Sequence, residues 1–441
     1  MRRPGGASAV SAVDSHDAVV KGIGGMPRKK NIVVGLDIGT TKICAVAVER
    51  IEGGEVRILG FGSAPSKGLR KGVVVNIEST VDSIGRAVDE AELSSGVEIG
   101  SVFVGIAGGH IQSSNSRGVV PITTEKKEIT QADVDKAVSA AKAIAVSIDR
   151  EIIHAIPQEF YVDGEGGIAD PVGLHGLRLE ADVHIVTGAV MSAQNIVKCV
   201  NRAGIQVEDI VLQPLASSLA TLSSVDKEVG VILVDIGGGT TDFIVYSDGA
   251  VRHSDVLYLA GNDVTRDIHK VLCIPESKAE ELKVRYGYAL SSMARPGDTF
   301  PRPATMNRPA SQEPLRMLCE IIEYRMREVF GITKERIRGN GCGDLIGSGV
   351  VLTGGTSLLK GCRELARTVF NGIPARIGRP QGAIGASDVL ASPIYATAVG
   401  LAKYGAEFRA RGEEVRFNRR NVFRSVLRKM QEWVRGRFKP G

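Results

Sequence analysis

Val33-Val-Gly-Leu-Asp37-Ile-Gly39-Thr40-Thr41-Lys42 opens the first patterned stretch of the chain, and Val231-Ile-Leu-Val-Asp235-Ile-Gly237-Gly238-Gly239-Thr240-Thr241-Asp242 repeats it in the second half. Each copy reads as an apolar strand, a carboxylate, a glycine turn, hydroxyl residues and a second apolar strand. That order makes a β-hairpin, unlike the Walker and Rossmann glycine loops, which open into helices. Glycines let backbone approach an anion closely, and successive N–H groups of such a turn can point at phosphate oxygens. The threonine hydroxyls and Lys42 add donors. Asp37 and Asp235 would repel a phosphate, so they point to Mg²⁺ bound through its waters. One copy alone reads equally well as a plain tight hairpin; two copies with the same flanks argue for a paired phosphate site.

A third turn, Val350-Val-Leu-Thr353-Gly354-Gly355-Thr356, joins a buried strand to a helix start and can bring backbone flat against a base or ribose. Around these turns strands and helices alternate, which indicates an α/β protein. Strands are expected at Ile32–Leu36, Ile43–Glu49, Val56–Phe61, Val102–Ala107, His184–Val190, Val229–Val234 and Gly349–Thr353. Helices are expected at Ser79–Leu93, from Thr130 with Asp133 as its capping partner, and at Ala193–Ala203, Gln213–Leu222, Leu315–Val329 and Ser357–Phe370. Gly164, Gly166 and Gly167 mark a loop, the proline-rich Arg295–Pro314 another, and Gly405–Asn418 a polar linker.

At 441 residues the chain is too long for one compact core. Its net charge of +5 is small, and does not by itself point to nucleic acid. The distribution says more. Residues 1–30 hold six basic and two acidic side chains and residues 406–441 eleven and four, leaving 38 basic against 44 acidic in the body. Six cysteines without a CxxC pair argue against zinc and against a disulfide framework. Residues 1–30 read as a disordered basic leader without the apolar core of a signal peptide, and no apolar run is long enough to span a bilayer. A reducing cytoplasm and, at most, peripheral membrane contact are expected.

From Asn421 the chain reads NVFRSVLRKMQEWVRGRFKPG. Val422, Phe423, Val426, Leu427, Met430, Trp433 and Val434 fall on one helical face, with Arg424, Arg428, Lys429 and Arg435 on the other. Packing on the protein's own core would predict mixed charges outside, and a calmodulin-target helix is a second alternative. A basic amphipathic helix with a bulky apolar face fits an anionic lipid surface best. One such anchor binds weakly, since each basic residue near an anionic surface contributes about 1 kcal/mol, and linking anchors through a polymer raises avidity.

Two phosphate hairpins with a strand–Thr-Gly-Gly–helix turn resemble the actin, Hsp70 and sugar kinase superfamily, and within it the FtsA family of bacterial division proteins. Stretches that carry the resemblance include Gly35–Lys42, His154–Phe160, Asp170–Leu174, Val231–Asp242, Arg252-His253, Ala260–Asn262, Lys283–Gly287, Leu352–Thr356 and Tyr395–Gly400. The resemblance implies an actin-like (ribonuclease H-like) two-domain α/β fold with ATP and Mg²⁺ in the interdomain cleft. Asp37, Gly39, Thr40, Thr41 and Lys42 would form the first phosphate loop and Asp235, Gly237, Gly238, Gly239, Thr240 and Thr241 the second. Gly354, Gly355 and Thr356 would lie against adenosine, Gly261 and Asn262 would approach from the second domain, and Glu280 and Lys283 are candidates for ribose or adenine.

By the same resemblance, residues 31–107 with 389–405 form subdomain 1A, 108–187 the FtsA-type insert 1C, 188–256 with 336–388 subdomain 2A, and 257–335 subdomain 2B. A linker (406–420) and the membrane-targeting helix (421–441) follow. Gln213 falls where relatives place a residue that positions water; glutamine orients water but is no strong base, so hydrolysis is expected to be slow. The implied partners are FtsZ through 2B, further copies of the chain, anionic lipids and other divisome proteins, at the cytoplasmic face of the membrane. A small-molecule kinase would have no use for the tail, and an Hsp70-like chaperone would need more chain after Gly405.

Overall fold

The computed structural model describes residues 31–411 apart from 52–54, 144–145, 306–307 and 386–387. The leader, most of the linker and the amphipathic segment with its eleven membrane candidates, Val422 to Arg435, lie outside the described residues. Strands β1 (Ile32–Ile38) and β2 (Lys42–Arg50) are apolar runs buried along most of their length and joined by the first glycine turn. They pair antiparallel with Asp37 opposite Cys44, and β3 (Val56–Pro65) extends the meander beyond β2. A short ribbon, β4 (Leu69–Arg70) with β5 (Val73–Val74), precedes α1 (Ile77–Ser95). Asn76 caps that helix by accepting from the Ser79 N–H, left-handed Gly96 ends it, and Ile84, Ala87, Val88 and Ala91 form its buried stripe. β6 (Ser101–Ile106) then returns parallel to β1.

An inserted module follows: β7 (Gln112–Pro121), α2 (Gln131–Ala141), β8 (Arg150–Val162), β9 (Glu165–Ile168) and β10 (Arg178–Ala189), its antiparallel sheet ordered β7-β10-β8-β9. The predicted cap of α2 is in place, with Asp133 accepting from the N–H and hydroxyl of Thr130. The glycines at 164–167 do not form one loop. Gly164 turns the chain, but Gly166 and Gly167 lie in β9, which pairs back onto β8.

α3 (Val190–Arg202) and β11 (Gln206–Leu212) rejoin the first sheet, where β11 pairs parallel with β6. Residues 188–212 therefore belong to the first lobe and not, as the sequence division has it, to the second: Ala193, Ile196, Cys199 and Val200 bury in the same core as β1 and α1. α4 (Gln213–Thr221) and α5 (Ser224–Val229) cross to the second lobe, built on β12 (Val231–Ile236), β13 (Thr241–Ser247) and β14 (Ala250–Leu257). Beyond β14 come α6 (Gly261–Leu272), α7 (Glu276–Tyr286), β15 (Thr299–Arg302), β16 (Ser311–Pro314) and α8 (Leu315–Gly339). β17 (Gly349–Thr353), α9 (Cys362–Val369) and β18 (Ala375–Ile377) complete the second sheet, β19 (Ala383–Ile384) adds to the edge of the first, and α10 (Ala396–Ala410) closes the described chain.

The two sheets have one topology. In the first, the order β11-β6-β1-β2-β3 combines an antiparallel meander with two parallel strands; in the second, β18-β17-β12-β13-β14 does the same. The glycine turns thus fall at equivalent corners. Helices α4 and α10 occupy equivalent places too, each following the outer parallel strand of its lobe, and they pack closely where Gly400 faces the Ala216 carbonyl.

Three further expectations are corrected. Arg295–Pro314 contains the β15–β16 ribbon, with Thr299 opposite Pro314 and Pro301 opposite Gln312; each strand of a two-stranded ribbon has an open edge, so prolines are tolerated. Ser357–Phe370 is not one helix: a short 3-10 turn and left-handed Gly361 precede α9. The linker does not begin at Gly405, because α10 runs through it to Ala410, and Gly405 is small so that the helix can lie on the Phe103 ring.

Candidate functional site

The glycine turns at the corners of the two sheets have one hydrogen-bond geometry. The Gly39 N–H donates to the Lys42 carbonyl at 3.0 Å, and the Gly237 N–H to that of Thr240, also at 3.0 Å. The hairpins meet across the lobes, Gly238 against Thr41 and Gly239 against Thr40, so closely that a Cβ at either glycine would collide. Beside them opens a cleft of about 460 Å³. It is lined by the whole of Asp37–Lys42 and by Gln213, Asp235, Gly237–Thr240, Asn262, Glu280, Lys283 and Gly354–Thr356. Val284, Tyr288 and Leu358 add apolar lining, a surface suited to a flat base.

Two expected residues do not line the cleft. Thr241 is fully buried and donates its hydroxyl to the Leu259 carbonyl at 2.7 Å. Gly261 lies behind the second hairpin, its N–H donating to the Gly237 carbonyl at 3.1 Å, while the Asn262 N–H donates to that of Gly238 at 2.8 Å and the Thr356 hydroxyl to that of Gly237 at 2.8 Å. The start of α6 and the third turn therefore brace the second hairpin. Lys283 does the same: its ammonium donates to the Gly261 carbonyl at 3.0 Å and to Thr265 at 2.9 Å, and pairs with Glu280 at 2.7 Å. Burial lowers its pKa and Glu280 offsets part of that. Lys283 is thus committed to the protein, whereas Glu280 is half-exposed at the cleft.

The carboxylates carry the electrostatics. Asp37 pairs with Lys42 at 3.3 Å and accepts from the Gln213 amide at 3.2 Å. Burial opposes the Lys42 charge most strongly, but Asp37 together with Cys44 and Tyr395 raises the pKa on balance, and Lys42 also lies 5.0 Å from the centre of the Tyr395 ring. Asp235 accepts from Ser217 at 2.6 Å and Thr397 at 3.2 Å; burial pushes it up to about 6, the hydroxyls pull against that, and Asp37 pushes it further. Asp242 accepts from Thr240 at 2.8 Å, yet its other oxygen is buried without a partner, and burial and Asp235 push it up to about 8.

Asp235 and Asp37 both repel a charge on Asp242, a crowding of acidic groups beside Lys42 and Asp37 that a divalent cation relieves. Among the described residues no three His, Cys, Asp or Glu side chains approach closely enough to ligate an ion directly. The donor set thus fits a cation that keeps most of its waters, as Mg²⁺ does. Asp242 and Thr397 are cleft residues that the sequence reading missed as sites, although both fall in stretches it singled out. Asp242 is opposite Asp235 in the expected hairpin, so its place was readable from the turn, whereas Thr397 reaches Asp235 only through the packing of α10.

Two lobes of one topology, with paired hairpins at the mouth of the cleft between them, define an actin-like fold. Solved structures share it: a PilM–PilN type IV pilus biogenesis complex (TM-score 0.62, 18% identity, covering 85% of this chain and 98% of that one) and MreB5 of Spiroplasma citri bound to ADP (TM-score 0.52, 14% identity, covering 86% and 98%). Family models described as "SHS2 domain inserted in FTSA" and "Cell division protein FtsA" match residues 108–187 and 232–400. Cell division protein FtsA of Pseudomonas aeruginosa is 44% identical over 412 residues, covering 92% of this chain and 98% of that protein, and that of Escherichia coli K12 is 40% identical over 417 residues, covering 93% and 99%. The chain belongs to the FtsA family of cell division proteins.

Proposed function

We propose that this chain binds ATP with Mg²⁺ in the cleft, assembles with further copies of itself, and tethers FtsZ polymers to the inner face of the cytoplasmic membrane through residues 421–441. The observation that carries the nucleotide reading is the pair of superposable glycine turns facing each other beside an apolar-walled cleft. In this reading backbone N–H groups of both turns, the Thr40, Thr41 and Thr240 hydroxyls and Lys42 hold phosphates, and Asp37 and Asp235 hold the hydrated cation, which neutralises phosphate charge when bound. Gly354–Thr356, with Val284 and Tyr288, take the adenosine. Gln213, its amide tied to Asp37, positions water at most, so hydrolysis is slow and ATP serves mainly as a conformational ligand. Turnover of many per second would contradict this.

Among the described residues none of 108–187 lines the cleft, and the insert acts as an interaction module. The region from Leu257 to Glu335 faces FtsZ. The first lobe comprises residues 31–107, 188–212, 383–384 and 389–411, since β19 pairs with β3. No helix among the described residues is long and apolar enough to cross a membrane, so the attachment rests on the basic amphipathic segment. Co-sedimentation with anionic liposomes tests it: the full chain should pellet and residues 1–411 should not. Persistent pelleting of the shortened chain sinks the tether. On the nucleotide side, Asp235→Ala should lose Mg²⁺-dependent ATP binding; unchanged affinity would overturn the hairpin assignment.

A further inference from the structure

The two hairpin carboxylates have unlike partners. Asp37 has a full positive charge, Lys42, at 3.3 Å and the Gln213 amide at 3.2 Å. Among the described residues Asp235 has no cation in its hydrogen-bonding shell and accepts from two hydroxyls, Ser217 and Thr397, which also contact each other at 3.0 Å. Gln213 and Ser217 are four residues apart on α4 and share one helical face. A single helix therefore touches the carboxylate of each lobe, and α10, its counterpart, supplies Thr397.

Both hydroxyls converge on the same oxygen of Asp235, Oδ2. Its Oδ1 lies beside Gly354, where any side chain would collide with it. Two hydroxyl protons serve three contacts, so the Ser217 proton goes to Asp235 at the shorter distance, 2.6 Å, and Thr397 donates either to Asp235 or to the Ser217 oxygen. The pair fixes the carboxylate's rotation through Oδ2, on a residue that lines the cleft. All three side chains are buried.

We propose that Ser217 and Thr397 are positioning residues that act through Asp235: they aim its free oxygen at the hydrated Mg²⁺ and make nucleotide binding Mg²⁺-dependent. The inference rests on the cation reading of Asp235 given above. Ligands of a metal site are held in place by outer hydrogen-bond partners, whose loss costs roughly 10–100-fold in metal affinity. The same contacts tie the second lobe's carboxylate to both crossing helices, so a cation drawn to Asp235 also bears on how α4 and α10 sit.

The test is binding of a fluorescent ATP analogue to the full chain, titrated with Mg²⁺ and repeated in EDTA. Ser217→Ala and Thr397→Val should each raise the Mg²⁺ concentration for half-maximal enhancement, by about tenfold for Ser217→Ala. Affinity in EDTA should stay within about twofold of the parent, and Thr397→Ser, which keeps the hydroxyl, should restore the parent Mg²⁺ response. A fall in EDTA affinity that matches the loss with Mg²⁺ would mean a purely structural role and overturn the proposal. Asp235→Asn separates the two readings. If it shifts the Mg²⁺ dependence while Ser217→Ala and Thr397→Val both leave it unchanged, the positioning role alone fails; if Asp235→Asn shifts nothing, the cation reading fails and takes this one with it. Thr397→Val is close to isosteric, so it remains informative should Ser217→Ala fold poorly.

Discussion

Gly238 shows how one atom decides what the cleft can do. A side chain there would strike the Thr41 methyl from the opposite hairpin, so the second glycine turn owes its composition to the first as much as to a phosphate. Gly238→Val is expected to hold the hairpins apart and to weaken ATP binding by about five- to 150-fold, for overpacking a tight contact costs about 1–3 kcal/mol. Equilibrium binding of a labelled nucleotide measures this, and parent-like affinity would show that the hairpins do not close on the ligand. The residue types at this site were legible in the sequence because glycine, threonine and aspartate each serve a distinct need at a phosphate turn. The partners of Asp235 were not legible, since Ser217 and Thr397 come from helices whose meeting no local pattern encodes.

At the scale of elements, the insert falls where the sequence put it, but its seating was not foreseen. Its chain leaves the first lobe after β6, yet its strands rest on β14 of the second. Ser113 donates to the Ser254 carbonyl at 2.6 Å, Asn115 to that of Arg252 at 3.2 Å and Gln158 to that of Val251 at 2.5 Å. His184 on β10 bridges the same junction, with Nδ1 at 2.7 Å from Asn115 Oδ1 and Nε2 at 2.9 Å from Ser254 Oγ. Burial, helped by His253, pushes His184 down to about 4, so the imidazole is neutral in the fold. A folded pKa below the unfolded one means that the unfolded chain binds more protons across this window. Stability should therefore fall as pH drops from about 6.5 towards 4, by up to about 3 kcal/mol from this residue. Thermal melts over that range should be flatter for His184→Gln than for the parent; equal slopes would remove His184 from the junction's acid response.

Over the whole molecule, both ends of the described chain leave from one place. Arg409 near the end of α10 donates to the Ile32 carbonyl at the start of β1 at 2.5 Å and to Glu208 on β11 at 3.1 Å. Phe408 is buried beside it, 5.5 Å from Phe103 between ring centres. A chain cut after Gly405 loses this cluster, and removing one buried phenylalanine alone costs about 3–5 kcal/mol. Residues 1–405 are expected to melt well below residues 1–411, which should match the full chain; equal melting temperatures would show that the last turn of α10 is dispensable. Any test of the membrane segment thus needs the later cut.

The division of labour between sequence and tertiary structure follows the range of the forces involved. Local patterns decided the repeated hairpins, the cap of α2 and the strand Gly349–Thr353, because turn chemistry and hydrophobic period act within a few residues. They also led to the family, since the hairpin motif carries its chemistry in contiguous residues. Tertiary packing alone decided that α3 and β11 return to the first sheet, that Lys283 turns inward to brace α6, that the insert lies on β14, and that α4 and α10 bring hydroxyls to Asp235. Each of these depends on contacts between residues far apart in the chain, whose free energy appears only once both lobes are assembled.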